Sequence, residues 1–373
     1  MVAGIGVAAL VGAAILGTAT TRGQPARPAV SPATAPPPSS LAPDHRGVPP
    51  LRGVPLSTAT GLRLLVANDP TPFLFDVDRG TARPVTGLPT DGDRVVWVLP
   101  VGADAVVVSD RTCNGCRDTR VYRVRHGTTV ATRLGTARDV VAAGDGRAVW
   151  MLSDQGPTRC TLREVGLDGQ PRRPARPIRC TTRLVAETSA GLLVTTGSSA
   201  DGSDRHSALV NPAGGTTRLR FPVAQAVAGH GHLVLGSADQ HHSLTLADLR
   251  SGASHRLSWP SRLDYGDDAR AHPNGRLVVV GFADPALPSG GQGLDEWLLD
   301  TTTRRWQHLS DMPANVALKF TSMSWTGDGR LVFLAQTDLG DVVAVWRPGQ
   351  PRIAVRQVEL PKRSGGSDSF VVW

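Results

Sequence analysis

Short runs of apolar residues, separated by glycine- and aspartate-rich corners, recur along the chain from Gly61 onward. In the clearest example an apolar approach leads into Gly-Asp-Gly at 327–329 and then into a run of β-forming residues at 331–335. Weaker copies of this unit occur at 142–152 and 271–280. No long stretch places apolar residues at the i, i+3, i+4, i+7 positions of a helix. The pattern therefore predicts pairs of strands joined by tight turns.

The spacing of these copies predicts seven similar units. The second strand of each unit is predicted to begin at Leu62, Asp104, Ala148, Leu192, Leu233, Leu277 and Leu331. The steps between them are close to 44 residues, with a longer last step, and this period is typical of four-stranded propeller blades. Several third strands end on Asp or Asn, as in 73–76, where the side chain can accept hydrogen bonds from the backbone of the following turn.

The two ends of this region predict that the array closes into a ring. The run 62–66 already reads as a second strand, whereas 368–373 reads as an inner strand without a blade. Pairing the two would complete the first blade and leave no open sheet edge. We therefore predict an all-β, seven-bladed β-propeller of four-stranded antiparallel blades at 61–373. It is closed by the C-terminal strand and preceded by one N-terminal hydrophobic helix.

The first 60 residues predict an anchor and a linker. Residues 1–22 contain an uncharged apolar stretch, 2–20, which is just long enough to span a bilayer as a helix, so we predict a transmembrane anchor or a signal segment. Residues 23–60 are a Pro/Ala/Ser-rich linker. No basic residue precedes the apolar stretch, and Arg22 and Arg27 follow it. Charge alone would therefore place the propeller in the cytoplasm, and whether the segment is cleaved stays open.

Four cysteines predict two disulfides. Cys160 and Cys180 are each ten residues from Gln170, the centre of a predicted hairpin, so they are expected to face each other across it. Cys113 and Cys116 are expected to close a small loop. A redox Cys-x-x-Cys pair and a four-cysteine zinc site are the alternatives. Paired cysteines favour an oxidising compartment, which outweighs the two arginines. The predicted location is a single-pass protein of the cell membrane with an extracytoplasmic propeller, or a secreted protein after cleavage.

The corner Trp325…Gly327-Asp-Gly-Arg330 is similar to the Trp-Ser-Pro-Asp-Gly-Lys/Arg corner of TolB-type blades. The chain thus resembles TolB-type and WD-repeat propellers over 61–373, and its layout resembles membrane-anchored actinobacterial propellers of unassigned activity. Thr326 and Gly327 replace Ser-Pro, and no Trp-Asp dipeptide occurs. The resemblance implies a fold and leaves the activity open, because this fold includes both binding scaffolds and enzymes.

The net charge of +8 comes almost entirely from arginine, since Lys319 and Lys362 are the only lysines. The arginines are scattered along the sequence, without a basic block and without interleaved aromatic residues. This pattern is unlike a nucleic-acid groove, and a composition rich in Arg, Ala, Gly and Pro explains it. We therefore expect no nucleic-acid partner.

No sequence motif identifies a catalytic or cofactor site. Gly-x-Ser-x-Gly and a phosphate-binding glycine loop are both absent, and no metal or other cofactor is expected. His230 and His232 are separated from the pair 241–242 by a strand of roughly 20 Å, too far to share one ion. Carboxylates at 264–268, with Glu187 and Asp139, are expected near the channel mouth, where they would suit acid–base chemistry.

The leading interpretation is a monomeric, non-enzymatic scaffold that binds a protein or a cell-envelope ligand and is held at the membrane by its N-terminal segment. The alternatives are a lyase or hydrolase at the channel mouth and a domain that binds cell-envelope polysaccharide. Binding is expected on the face that carries the second-to-third and fourth-to-first connections. The residues predicted to line it, at the starts of inner strands, are Arg94, Arg138, Asp139, Arg183, Asp267, Asp268 and Asp368.

Overall fold

The computed structural model describes most of residues 51–373. The gaps are 69–70, 90–92, 114–115, 157–158, 198–204, 212–213, 221–222, 238–242, 262–263, 284–291, 317–322, 338–339 and 362–368. The predicted N-terminal helix at 1–22 lies outside the described residues. Within the described ranges, no helix is both long and apolar enough to cross a membrane.

The fold is the predicted seven-bladed propeller, with four antiparallel strands in each blade. Blade 1 contains β2 (Arg63–Val66), β3 (Phe73–Asp76), β4 (Thr81–Pro84) and the C-terminal strand β30 (Phe370–Val372). Blade 2 contains β5 (Asp93–Val101), β6 (Asp104–Cys113), β7 (Cys116–Val124) and β8 (Ala131–Thr136). Blade 3 contains β9 (Asp139–Ala142), β10 (Ala148–Asp154), β11 (Arg159–Gly166) and β12 (Arg176–Arg179). Blade 4 contains β13 (Thr182–Thr188), β14 (Gly191–Thr196), β15 (His206–Val210) and β16 (Thr216–Arg218).

The remaining blades follow the same order. Blade 5 contains β17 (Val223–Ala228), β18 (Leu233–Ser237), β19 (Ser243–Asp248) and β20 (Ser254–Ser258), with one 3₁₀ turn at Gly229–Gly231. Blade 6 contains β21 (Asp264–Ala271), β22 (Leu277–Ala283), β23 (Gln292–Asp300) and β24 (Arg305–His308), plus the short β25 (Ala314–Val316) on β23. Blade 7 contains β26 (Met323–Trp325), β27 (Leu331–Thr337), β28 (Gly340–Trp346) and β29 (Ala354–Gln357), to which β1 (Val54–Pro55) adds a fifth strand.

The innermost strand of each blade contacts the innermost strand of the next blade all the way around the ring, from β5 through β26 to β30 and back to β5. β30 pairs antiparallel with β2, which completes blade 1 as predicted. Because first strands run toward one face and second strands return, the connections divide between two faces. We call the face with the fourth-to-first and second-to-third connections the loop face. The opposite face, with the first-to-second and third-to-fourth turns, is the turn face.

The core is a ring of seven apolar clusters, one at each junction between blades. Strand alternation explains this arrangement, because successive side chains point to opposite faces of a sheet. In β10, Val149 and Met151 pack toward blade 2, whereas Trp150 and Leu152 pack toward blade 4. Both faces of every blade are therefore buried, and polar residues are left mainly at strand ends and on the fourth strands.

The glycine corners lie where neighbouring blades approach each other on the turn face. Gly102, in the first-to-second turn of blade 2, has a φ of +60°, and a Cβ there would lie 2.4 Å from the carbonyl oxygen of Gly146 in the matching turn of blade 3. The predicted turns after third strands are also present, since Asp76 Oδ1 accepts the backbone N–H groups of Asp78 and Arg79.

The segment before blade 1 binds to the outside of blade 7. β1 pairs parallel with β29, and the N–H groups of Val54 and Leu56 donate to the carbonyls of Ile353 and Val355 at 2.8 and 2.9 Å. Arg356 donates to the carbonyls of Leu56 (2.8 Å) and Thr58 (2.9 Å). The ring is therefore closed twice between blades 7 and 1, by β30 on the inside and by β1 on the outside.

Candidate binding face

The side chains of three of the predicted binding residues are described, and these three lie at the loop-face ends of inner strands. Arg138 precedes β9, Asp139 begins it, and Arg183 is the second residue of β13. Arg94 in β5 and Asp267 and Asp268 in β21 have described backbones, but their side chains lie outside the described part of the chain. Asp368 lies outside it entirely.

Asp139 joins the inner strands of blades 3 and 4. Its Oδ2 accepts the N–H of Leu184 at 2.7 Å, and its Oδ1 accepts the N–H of Val140 at 3.0 Å. Burial raises the pKa of the Asp139 carboxyl, although the bond from Leu184 and the charge of Arg183 act in the opposite direction. With both oxygens held by backbone donors, this carboxylate sets the position of the two strands.

The two arginines beside Asp139 differ in how they are held. Arg138 Nη1 lies 3.3 Å from Asp154 Oδ1, and its guanidinium packs 4.0 Å from the Cys160 sulfur. Arg183 is exposed, and its charge acts on Asp139 although the two form no ion pair among the described residues.

Cys160 and Cys180 form the predicted disulfide at the loop-face edge of blade 3, with their Cα atoms 5.0 Å apart. They are not directly opposite, because Cys160 pairs with Ile178. The hairpin starts from the tight bridge between Val165 and Pro171, and the chain then bulges before β12, which shifts the register by two residues. The disulfide removes both sulfurs from the alternative four-cysteine zinc site.

Cys113 and Cys116 are register partners at the loop-face ends of β6 and β7. Their side chains lie outside the described residues, so the second predicted disulfide stays a prediction.

The fold gathers arginines that the sequence scatters. Seven lie at the loop-face ends of strands in blades 3 and 4, and we call them the arginine edge: Arg138, Arg159, Arg179, Arg183, Arg205, Arg218 and Arg220. All except Arg138 are exposed. Among the described residues at these strand ends, the acids are the half-buried Asp139 and the exposed Asp154. The arginine edge could in principle have been predicted from the sequence, because each arginine adjoins a predicted strand end on one face. Such a prediction requires the register of all the strands of blades 3 and 4.

Two other predicted groups of side chains do not join this surface. Glu187 lies near the turn-face end of β13, where its Oε2 accepts the N–H of Gly144 at 2.7 Å, so the expectation that it shares a channel mouth with Asp139 is wrong. Asp139 lies at the loop-face end of β9, next to the start of β13, whereas Glu187 lies at the opposite end of β13. The two carboxylates are therefore on opposite faces and cannot share a site. His230 and His232 are also at the turn face, and 241–242 lie outside the described residues.

No family model matches the chain, and no curated protein matches it. Solved structures do. A putative 6-phosphogluconolactonase from Bacteroides fragilis NCTC 9343 is 13% identical with a TM-score of 0.53, and the match covers 86% of this chain and 99% of that chain. A protein from Lactobacillus plantarum is 11% identical with a TM-score of 0.53, covering 83% and 99%. TolB from Acinetobacter baumannii is 14% identical with a TM-score of 0.43, and the match covers 73% of this chain and 67% of that chain. This similarity is too low to support a conclusion. At these identities the comparisons show the propeller fold alone.

Proposed function

We propose that this propeller is an extracytoplasmic, membrane-tethered binding scaffold whose binding surface is the loop face of blades 3 and 4. The observation that carries the proposal is the arginine edge. It places exposed guanidinium groups, such as those of Arg159 and Arg179, on fixed strand ends without ion pairs to the described residues. Free guanidinium groups on a rigid frame suit recognition of carboxylate or phosphate groups on a partner.

The frame around these arginines supports a preorganised surface. Asp139 fixes β13 against β9, and the Cys160–Cys180 disulfide ties β11 to the end of β12. The apolar cluster between blades 3 and 4 holds the two sheets together beneath the edge. A surface that needs no reordering spends less conformational entropy on binding, which favours affinity from exposed polar groups.

The cellular location in the proposal is supported by chemistry and by sequence. A disulfide at a partly exposed strand end persists in oxidising compartments and is rare in the cytosol. The apolar stretch at 2–20, followed by a Pro-rich linker, would hold such a domain at the outer side of the membrane.

Asp139 is the residue on this surface that most resembles a catalytic acid, because burial raises its pKa. Both of its oxygens accept hydrogen bonds from backbone N–H groups. We therefore assign Asp139 a role in positioning the two strands, which is compatible with a scaffold.

Chemical crosslinking of the full-length protein in its native cells, followed by mass spectrometry, tests this proposal. The test variant is Arg183→Glu, and the matched control is Arg250→Glu, an exposed arginine in a turn-face turn of blade 5. We expect a partner that crosslinks to the wild type and to the control and is lost from the Arg183 variant. Equal recovery with all three proteins would exclude this face, and no crosslinked partner of any class would remove the scaffold proposal.

A further inference from the structure

We infer that the arginine edge binds an acidic polysaccharide, a chain whose sugar units carry carboxylate or phosphate groups. This inference rests on the proposed scaffold function and specifies its ligand. The arginines of the edge form rows, and among the described residues they have few ion pairs and no exposed large apolar side chain beside them.

The arginines form two neighbouring rows. In blade 4 the row runs from Arg183 on the inner strand, past Arg205 before β15, to Arg218 and Arg220 at the outer strand. Adjacent strands are about 4.8 Å apart, so this row is about 15 Å long. In blade 3 a second row runs outward through Arg159 to the outermost strand. Rows of this length match several units of a chain polymer better than one small anion.

The outer arginines are placed against each other and not against acids. Arg159 and Arg179 are direct register partners on β11 and β12, and both are exposed. Like charges directly opposite in a sheet are destabilising. Neither side chain forms an ion pair with a described residue, so nothing described within the fold offsets the repulsion between them. A bound anion would reduce that repulsion.

The turn face shows how this chain treats arginine elsewhere. Arg172 Nη1 lies 2.5 Å from Asp145 Oδ2, and Arg347 Nη2 lies 3.0 Å from Asp328 Oδ2. At these two turns an aspartate neutralises the neighbouring guanidinium group, whereas Arg125 and Arg250, also exposed on this face, form no ion pair with a described residue. On the described part of the arginine edge, Arg138 forms an ion pair with Asp154, and Arg183 acts on Asp139 through its charge alone.

The described residues of the edge include hydroxyl groups but no exposed large apolar side chain. The described large apolar side chains that are exposed are Val54 and Val130, and both lie outside blades 3 and 4. Protein partners usually bury aromatic or aliphatic side chains at the centre of an interface. Thr181 and Thr196 lie at the same strand ends, where their hydroxyls can bond to sugar hydroxyls. This chemistry favours a charged glycan over an acidic protein segment.

The test measures binding of the purified full-length protein to polygalacturonate, to the same polymer with its carboxylates methyl-esterified, and to poly-L-glutamate. The edge variant is Arg159→Glu/Arg179→Glu/Arg183→Glu. The control is Arg125→Glu/Arg147→Glu/Arg250→Glu, which changes net charge equally at three exposed turn-face arginines. An Arg→Gln version of the edge variant is measured as well. It removes charge without reversing it, so the result does not depend on how well the Glu variant folds.

We expect wild type and control to bind polygalacturonate alike, and the edge variants to bind it about tenfold or more weakly, with salt weakening all binding. The inference is overturned by failure of the wild type to bind, by equal binding of the esterified polymer, by equal loss in the control, or by tighter binding of poly-L-glutamate. A crosslinked protein partner on the loop face with no glycan binding would overturn this inference and leave the scaffold proposal intact.

Discussion

Single aspartates have two different structural roles in this propeller. Asp139 is half-buried on the loop face with a raised pKa, and it holds two backbone N–H groups of adjoining blades. Asp78, on the turn face, accepts hydrogen bonds from more donors, one of which is charged. Partial burial disfavours its charge, but the N–H groups of Thr60 and Gly61, the Thr60 hydroxyl and the Arg356 guanidinium outweigh it and lower the pKa of Asp78 to about 2.

The lowered pKa of Asp78 predicts an acid-sensitive closure. A carboxyl whose folded pKa lies below its ordinary 3.8 stabilises the fold above that pH, and the contribution is lost as pH falls from about 4 through about 2. We expect Asp78→Asn to lower the free energy of unfolding by on the order of 1 kcal/mol at pH 7, after allowance for solvent screening, and by progressively less as the pH falls through about 2. Urea unfolding of both proteins across this range measures the difference. A difference that stays constant with pH would contradict the assignment, and Asp168→Asn serves as a control for loss of an exposed turn carboxylate.

Gly102 lies where the turns of blades 2 and 3 meet on the turn face. Alanine there needs a left-handed φ and also places its Cβ against the Gly146 carbonyl, so Gly102→Ala should destabilise the fold by about 2–4 kcal/mol. Gly127 has a φ of +74° with open space around it, so Gly127→Ala should cost about 1 kcal/mol. Denaturant unfolding of both variants separates the cost of the left-handed φ from the cost of the steric contact between the two turns. Equal losses would show that the contact between turns contributes nothing.

Short elements at the two ends of the described chain take part in closure as much as the blades do. β1 has two residues, and its attachment depends on a side chain of its partner strand. Arg356 donates to the carbonyls of Leu56 and Thr58, and also to Asp78, so one guanidinium links the incoming segment, blade 7 and blade 1.

Replacing that guanidinium should release the segment without opening the ring. In Arg356→Met we expect hydrogen exchange at the amides of Val54 and Leu56 to speed up about tenfold or more, since backbone pairing of two residues alone is marginal. The amides of β30 should keep their protection. Exchange measured by mass spectrometry on peptides from both segments tests this, with Arg133→Met, an exposed arginine of β8, as the control. Unchanged exchange at 54–56 would show that β1 is held by other contacts.

The strands and the number of blades were predictable from the sequence. The exact register of the strands and the side chains that meet at their ends were not. The period near 44 residues and the glycine corners come from interactions repeated in every blade, so they are visible locally in the sequence. The register of Cys160 with Ile178 depends on a bulge that no periodic pattern marks. The arginine edge depends on eight strands arriving at one face, and in sequence its members are spread over 138–220. Long-range assembly, and not local preference, determines both.

One short strand completes the inner ring of the whole molecule. β30 covers the open edge of β2 and lies between the inner strands β26 and β5, and Val371 is buried in the cluster between blades 1 and 2. A protein that ends at Ser369 would expose the edge of β2 and leave the inner ring incomplete.

We expect that truncated protein to lose its single cooperative unfolding transition and to aggregate, because an unpaired inner edge is a template for association. Size-exclusion chromatography and thermal unfolding measure both effects. A peptide of residues 369–373 added in excess should partly restore the melting temperature, which excludes a general folding defect as the cause. A truncated protein that melts like the full chain would show that closure is redundant.

The outer position of β1 has a mechanical consequence. Tension transmitted from the preceding chain into the propeller reaches β1 before any blade strand, because Leu51 to Thr60 run along the rim of blade 7. Under load this segment would peel away first and add up to about 35 Å of extended chain. The inner closure by β30 would bear none of that load until the slack was used up. In the tethered protein that we propose, the propeller would then be displaced from its point of attachment and return with its blades intact.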